Sequence, residues 1–106
     1  MSAPYSKDHY QPLDVFADEA LSVGTSVTAF TAATYNATGG VAVAAFCNVQ
    51  VAPVRVRLTG TDPSATVGDL YNVGDRFVVW GTMDIQSFEA ISANGITSTV
   101  FVHYAK

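Results

Sequence analysis

Short runs of alternating apolar and polar residues, separated by turn residues, extend through most of this chain. The clearest run covers residues 54–59, where apolar side chains alternate with Arg55 and Arg57. Successive side chains of a strand point to opposite faces of the sheet, so this run predicts a strand with one buried face. Residues 76–80 and 96–104 are mostly apolar and predict two more strands.

The first half of the chain predicts a β-hairpin. Residues 26–35 are rich in Thr and aromatic side chains, which favour a pleated surface. Residues 36–40 contain Asn and two glycines, which tolerate the positive φ angles of a tight turn. Residues 41–51 are apolar at both odd and even positions, which is typical of a central strand covered on both sides.

Three segments fit more than one type of secondary structure. Residues 13–23 fit either a strand or a helical turn. Residues 84–91 have Ile85, Phe88 and Ile91 three residues apart, which fits one or two helical turns or an irregular strand. Residues 67–73 predict a short strand or an extended crossing.

Turn residues separate these runs and indicate the class of fold. They are Gly60 and Pro63, Gly74 and Asp75, and Asn94 and Gly95. The Asn-Gly pair is the strongest hairpin signal of the chain. About six or seven strands joined by short turns leave no room for crossover helices. The sequence therefore predicts an all-β fold, either an antiparallel β-sandwich or a small barrel.

One domain is expected, because 106 residues is close to the commonest domain size. We assign it to residues 13–106, preceded by an extended N-terminal arm of residues 1–12. The arm is polar, with two prolines, and has no core of its own, so it is either disordered or ordered by a neighbouring subunit. Its Tyr5 and Tyr10 favour docking on a neighbour.

The charge content points to an assembly. Only 13% of the residues are charged, against roughly 25% in typical soluble domains. A homo-oligomer or a larger assembly would cover part of such a surface; a neutral surface rich in Thr and Ser is the alternative. The net charge is −4 with five basic residues, which form no cluster, so we expect no direct contact with nucleic acid.

The expected cellular compartment follows from the single cysteine and from the lack of a secretory signal and of a membrane-spanning run. Cys47 is the only cysteine, so no internal disulfide can form. Residues 1–12 lack the apolar region of a secretory signal, and the longest apolar run, residues 41–47, is far shorter than the roughly 20 residues that cross a bilayer. We expect a protein that folds in a reducing cytoplasm and does not insert into a membrane.

No pattern predicts catalysis, a metal or a cofactor. No spacing typical of metal ligands relates Cys47, His9 and His103. We interpret Cys47 as a core residue, His9 as an arm residue and His103 as a surface strand residue. Four aspartates fit turns or segment edges better than a catalytic pair: Asp62, Asp69, Asp75 and Asp84. The chain has neither a nucleophile elbow nor a phosphate-binding loop. We therefore predict a protein that is not an enzyme.

Two groups of residues are candidates for binding. Arg55 and Arg57 share one strand face, where they could pair with carboxylates of a partner protein or remain solvated. Trp80, with Tyr71 and Phe77, could form an aromatic platform for a sugar, although a core or interface role is favoured.

An ordered set of motifs lies in the segments VRVRLTGTDPSATVGDLYNVGD and FVVWGTMDIQSFEAI and in a last strand that ends in VHY. Its positions are Arg55, Gly60, Pro63, Gly68, Gly74, Asp75, Ile85, Phe88, Ile91 and Tyr104. In the order and spacing of these motifs, residues 55–104 resemble small structural proteins of tailed-bacteriophage virions. The resemblance covers about half of the chain, and it implies a virion component assembled in the host cytoplasm.

Together these features predict a capsid decoration, or cement, protein that binds the head shell. Its expected partners are further copies of itself, as a trimer, and the major capsid protein. The expected contacts are made by Tyr5, Tyr10, Leu13 and Phe16 of the arm region, by the two arginines, and by Trp80. One alternative is a head–tail connector or a tail or fibre component. Another, from a different class, is a carbohydrate-binding adhesion module.

Overall fold

The computed structural model describes residues 13–36 and 40–106, which form a sandwich of two antiparallel four-stranded sheets. The elements are β1 (Val15–Val23), β2 (Thr28–Ala29), α1 (Ala32–Tyr35), β3 (Ala44–Val49), β4 (Val54–Arg57), β5 (Asp69–Tyr71), β6 (Arg76–Trp80), α2 (Thr82–Ser87), β7 (Glu89–Ser92) and β8 (Ser98–Ala105). The first sheet has the order β1-β8-β3-β6 and the second β2-β7-β4-β5. The predicted all-β sandwich is confirmed; the arm, residues 1–12, lies outside the described residues.

The two ends of the described chain meet in the first sheet. The last strand, β8, lies between β1 and β3 and pairs antiparallel with both. The N–H of Asp14 donates to the carbonyl of Lys106 (3.2 Å), and the N–H of Lys106 donates back to Asp14 (3.1 Å). The first sheet is therefore complete only when both chain ends are in place.

The buried side chains, which alternate with more exposed ones along the strands, fill the space between the two sheets. Every second residue of β3, β4 and β8 is buried, which places these valines, alanines and Cys47 in one core. At its centre the ring of Phe30 stacks on that of Phe88 with 3.7 Å between centroids, and Tyr104 packs edge-on against Phe30 at 5.4 Å. Burying one large apolar side chain of this kind contributes about 1.5–3 kcal/mol to folding.

The predicted hairpin of residues 26–35 and 41–51 is wrong. Only Thr28–Ala29 is a strand, and it pairs with β7 of the second sheet, whereas β3 belongs to the first sheet. Residues Ala32–Tyr35 form a helical turn, and the carboxylate of Glu19 binds the N–H (3.1 Å) and the hydroxyl (2.6 Å) of Thr31, the residue before it. Of the turn predicted at residues 36–40, residues 37–39 lie outside the described part.

The Asn94-Gly95 turn is present, but it does not close a hairpin. It joins β7 of the second sheet to β8 of the first. The hydroxyl of Ser92 donates to the carbonyl of Ile96 (2.7 Å), and the N–H of Ile96 donates to Oδ1 of Asn94 (3.0 Å). These side-chain bonds stabilise a turn that carries the chain from one layer to the other, so the hairpin prediction is wrong here.

The other predicted turns lie in loops. Gly60 and Gly74 have φ angles of 81° and 91°, which glycine adopts most easily. Pro63 is buried in the loop before β5. The carboxylate of Asp75 accepts a hydrogen bond from the N–H of Asn72 (2.7 Å), as expected for Asp in a tight turn.

The segments that the sequence left open are now assigned. Residues 13–23 contain strand β1. Residues 84–91 divide into the end of α2 and the start of β7, with Ile85 and Phe88 fully buried. Strand β3 is central, as predicted, but it is not covered on both sides: Phe46 and Asn48, on its outer face, are only partly buried in the described structure.

Candidate functional site

The outer side of the first sheet carries apolar side chains where a sheet that faces water usually carries polar ones. On the edge strand β6, Val78 is 39% and Trp80 59% exposed. Phe46 of β3 lies opposite Val78 on one side and opposite His103 of β8 on the other. We call the set Phe46, Val78, Trp80, Phe101 and His103 the outer aromatic face.

A groove on this face is lined by Phe46, Val78, Phe101 and His103; Trp80 contacts Phe46 but does not line the groove. The rings of Phe46 and Trp80 meet edge to face with 6.0 Å between centroids, and those of Phe101 and His103 do so at 5.0 Å. The groove has a volume of about 370 Å³, and Arg76 and Asn48 line its other end. Arg76 adds a positive charge to a surface whose other members are apolar or uncharged polar side chains such as Asn48. The arrangement suits a protein partner that offers aromatic side chains and a carboxylate.

Of the residues in this surface, sequence reasoning named only Trp80 as a candidate for binding. The other apolar members lie in strands that are apolar at both odd and even positions, a pattern that indicates burial on both faces. The signal was present in the segments VAVAAFCNVQV and FVVW, but it does not tell whether a second layer of the same chain or another molecule covers the outer side. His103 is exposed, as predicted for a surface strand residue.

The two arginines lie on the other side of the sandwich. Arg55 and Arg57 share the outer face of the second sheet, as the alternation predicted. Arg55 donates from Nε to the carbonyl of Ala65 (3.3 Å) and from Nη1 to that of Gly68 (3.1 Å). Arg55 therefore holds a loop of its own chain, and its role at an interface stays a prediction, as does that of Arg57.

Tyr71, Phe77 and Trp80 do not form the aromatic platform that the sequence suggested for a sugar. Tyr71 stacks on Phe77 with 4.0 Å between ring centroids, and Phe77 packs towards the core near Phe88. Trp80 belongs instead to the outer aromatic face. Tyr71 and Trp80 thus lie in different sheets and cannot stack on one sugar ring.

The arm candidates are only partly described. Tyr5 and Tyr10 lie outside the described residues. Leu13 is partly buried, and Phe16 lies at a β-bulge between Val15 and Ala17 and packs against the core. The ammonium of Lys106 is 4.6 Å from the centroid of the Phe16 ring, so this ring already has a partner within its own chain.

Reactive groups do not gather at one place in the described residues. Cys47 is buried, and burial raises the pKa of its thiol to about 12, so almost no thiolate forms at neutral pH. Within residues 13–36 and 40–106, no three His, Cys, Asp or Glu side chains are placed to hold a metal ion together. Neither of the helices described is long and apolar enough to cross a membrane.

The chain was compared with protein families, curated proteins and solved structures. No family model matches it, and no curated protein or solved structure is significantly similar to it. The surface that stands out within the chain itself is the outer aromatic face, whose exposed rings and single positive charge favour contact with protein.

Proposed function

We propose that this protein is a structural component of a tailed-phage virion, and specifically a capsid decoration protein that attaches to the head shell. It works by contact between proteins rather than by catalysis. The observation that carries the proposal is the outer aromatic face, where Trp80 and Val78 are exposed on a rigid sheet. Aromatic side chains are enriched in protein interfaces relative to the rest of the surface, so an exposed Trp on a sheet face supports a site of protein contact.

Two further observations support the proposal. The charged fraction of 13% is low for a domain that stays alone in water. Residues 55–104 resemble virion structural proteins, and this resemblance is what favours a phage particle over other assemblies. A carbohydrate-binding module is not proposed, because Tyr71 is not available beside Trp80.

The proposed mechanism is reinforcement of the shell by many identical weak contacts. Burying apolar surface contributes about 25 cal/mol for each Å², so one small patch gives only modest affinity. Repetition over a symmetric lattice multiplies that effect.

Virions that carry an altered outer aromatic face provide the test. Val78→Asp places a charge on the face, whereas Val67→Asp places one at a valine that is 51% exposed in the loop before β5. We expect Val78→Asp to lower the number of copies per particle and the heat resistance of the heads, and Val67→Asp to change neither. Equal occupancy of both variants would argue against this face as the contact site.

Copy number separates decoration from its nearest alternative. Quantitative mass spectrometry of purified virions should find copies in the hundreds for a decoration protein. About six or twelve copies would instead place the protein in a connector or tail ring, which has cyclic symmetry. Absence from purified virions would contradict both assignments.

A further inference from the structure

The first sheet ends in β6, which pairs with β3 on one side and with no other strand in the described part of the chain. We propose that two copies of this protein pair along the free edge of β6, antiparallel and centred on Val78, so that their first sheets join into one continuous sheet. Such pairing goes beyond the proposed function, because the contact between copies is made mainly by the backbone edge of β6 and leaves the outer aromatic face for the shell.

Of the four edge strands of the sandwich, β6 has the least protection against pairing with another strand. Proteins usually protect a sheet edge with a bulge, a charged residue or a very short strand. β1 has a bulge between Val15 and Ala17 and carries the exposed Asp18, β2 has two residues, and β5 has three residues that begin with the exposed Asp69. β6 has five residues, RFVVW, in continuous register with β3. Its edge is therefore the best suited of the four to accept another strand.

The backbone of β6 directs alternate residues to this free edge. In an antiparallel ladder a residue exchanges both hydrogen bonds with one neighbouring strand, and the next residue faces the other way. At one end of β6 the N–H of Val49 donates to the carbonyl of Asp75 (3.0 Å). At the other end the N–H of Gly81 donates to the carbonyl of Val43 (2.7 Å). The odd-numbered residues thus bond to β3, and the N–H and C=O groups of residues 76, 78 and 80 point to the free edge.

These three residues are complementary to themselves. Antiparallel pairing centred on Val78 places Val78 opposite Val78 of the second copy, and Arg76 opposite Trp80 on both sides of it. Both kinds of pair are hydrogen-bonded positions, so the ladder contains about six hydrogen bonds. The guanidinium of Arg76 can lie over the exposed ring of Trp80 of the second copy. A register shifted by two residues separates Arg76 from Trp80, so these side chains select the register centred on Val78.

The residues that flank β6 extend the same complementarity. Val73 precedes the strand and Met83 follows it, and both side chains are exposed. Antiparallel pairing brings the Val73 end of one copy to the Met83 end of the other. Each end of the ladder therefore has two exposed apolar side chains, whose contact would remove apolar surface from water.

Pairing of this kind leaves both outer aromatic faces on the same side of the joined sheet. The two-fold axis that relates the two strands is perpendicular to the sheet, so equivalent faces point the same way and the surface available to the shell is doubled. The contact closes at two copies, and the trimer expected from the sequence would need a different surface. A five-residue strand buries less than the usual interface area of about 800 Å² per partner, so we expect a dimer that dissociates on dilution.

Val78→Pro tests the backbone contact. The N–H of Val78 points to the free edge, so a proline there removes no bond to β3, keeps the face apolar and blocks the ladder with a second copy. Val78→Thr is the matched control, since it keeps the N–H and the branched shape of the side chain. Sedimentation equilibrium from micromolar to near-millimolar concentration should show a reversible dimer for the unaltered chain and Val78→Thr, and only monomer for Val78→Pro. Near-ultraviolet circular dichroism shows whether each variant is folded.

Trp80→Glu and Trp80→Lys test the register. Both remove the ring from the same site, but the new side chain faces Arg76 of the second copy with the opposite charge in one variant and the same charge in the other. We expect the dimer of Trp80→Lys to be at least about tenfold weaker than that of Trp80→Glu. General repulsion between copies of net charge −4 would give the opposite order. This comparison also decides the question if Val78→Pro does not fold.

Three results would overturn the inference. The first is an unaltered chain that remains monomeric over the whole concentration range. The second is a folded Val78→Pro protein that dimerises as strongly as Val78→Thr. The third is equal dimerisation of the two Trp80 variants, which would exclude the pairing of Arg76 with Trp80 on which the proposed register depends.

The two proposals fail in different experiments. A chain that is monomeric in solution but present in hundreds of copies on purified virions would show that edge pairing is wrong and that the decoration role stands. A chain that pairs in the proposed register but is absent from purified virions would show the reverse. Val78→Asp alters both the face and the edge, whereas Val78→Pro alters only the edge, so the two variants together separate shell binding from pairing.

Discussion

The side chain of Glu19 accepts hydrogen bonds from residues that are distant from it in the sequence. Its carboxylate accepts hydrogen bonds from the N–H and hydroxyl of Thr31 and from the hydroxyl of the fully buried Tyr104. Burial, and secondarily the bond to Glu19, raises the pKa of the Tyr104 hydroxyl, which therefore stays protonated and donates. The carboxylate thus links β1 and β8 to Thr31, the residue before α1.

Tyr104→Phe should destabilise the protein by about 1–3 kcal/mol, because it removes a hydrogen bond to a charged acceptor and little else. Urea unfolding followed by circular dichroism should give a lower midpoint with an unchanged slope. Tyr71→Phe is the matched control in a partly buried ring, and we expect a smaller loss there. A Tyr104→Phe protein as stable as the original would contradict the role of this bond.

The surroundings of the Glu89 carboxyl group disfavour its charged form. Its Oε1 is inaccessible to solvent and has no hydrogen-bond partner within the described residues. Burial raises the pKa of Glu89, and the negative charge of Asp62 and a hydrogen bond with that residue raise it further. The folded chain therefore holds this proton more tightly than the unfolded chain. The resulting stability is fully present below the unfolded pKa, about 4.3, and is lost as the pH rises through the raised value.

Glu89→Gln should therefore be more stable than the original protein at pH 7, since an uncharged amide avoids the charge that is unfavourable there. The advantage should shrink towards pH 4. Urea unfolding of both proteins at the two pH values measures the change. Asp69→Asn, at an exposed position, controls for the loss of one negative charge. An advantage of Glu89→Gln that is larger at pH 4 than at pH 7 would contradict the assignment.

At the scale of elements, β4 and the loop before β5 are packed backbone against backbone. Gly68 has a φ angle of 130°, and a Cβ there would be 3.0 Å from the carbonyl oxygen of Val56. Arg55 of the same strand donates to Gly68 and Ala65, which fixes the loop over β4. A side chain at position 68 would separate the loop from the strand and stretch these bonds.

Gly68→Ala should cost more stability than Gly60→Ala, by about 1 kcal/mol or more. Both glycines have positive φ angles, but a Cβ at Gly60 meets nothing within 4 Å. The difference between the two variants therefore reports the close approach to β4 rather than backbone conformation alone. Thermal or urea unfolding measures it, and equal losses in the two variants would contradict the packing argument.

At the scale of the whole molecule, the last strand completes the fold. β8 contributes Val100, Val102 and Tyr104, all fully buried, and it pairs with β1 and β3. Without it, β1 has no partner in the first sheet and the core is open on one side. Pairing of the first strand with the last also requires closure of a very long loop, which slows folding.

A chain that ends at Thr97 should fail to fold. We expect it to lack near-ultraviolet circular dichroism and a cooperative unfolding transition. The control chain lacks only Lys106; it loses the two backbone bonds to Asp14 and the contact with Phe16, and it should stay folded with reduced stability. A cooperative transition in the shorter chain would show that β8 is dispensable for the core.

The sequence by itself determined the local elements that depend on neighbouring residues. The alternation around Arg55 and Arg57 predicted β4, and the apolar run at residues 76–80 matches the bounds of β6. The turns at Gly60 and at Gly74-Asp75 were placed correctly, because turn conformations depend on the residues within them. An all-β fold, either a sandwich or a small barrel, followed from many short strands and the lack of room for crossover helices, and the structure shows the sandwich.

Only the tertiary structure decided which strands pair and which apolar surface stays open. Within residues 26–35, Thr31 binds Glu19, twelve residues earlier, a contact that no local pattern contains. The turn at Asn94 connects two layers because β8 pairs with strands distant in sequence. The segments around Phe46 and Val78 are apolar on both sides whether or not another layer of the chain covers them. Local pattern records how apolar a face is, whereas its exposure depends on the packing of the remaining chain, which no short window of sequence contains.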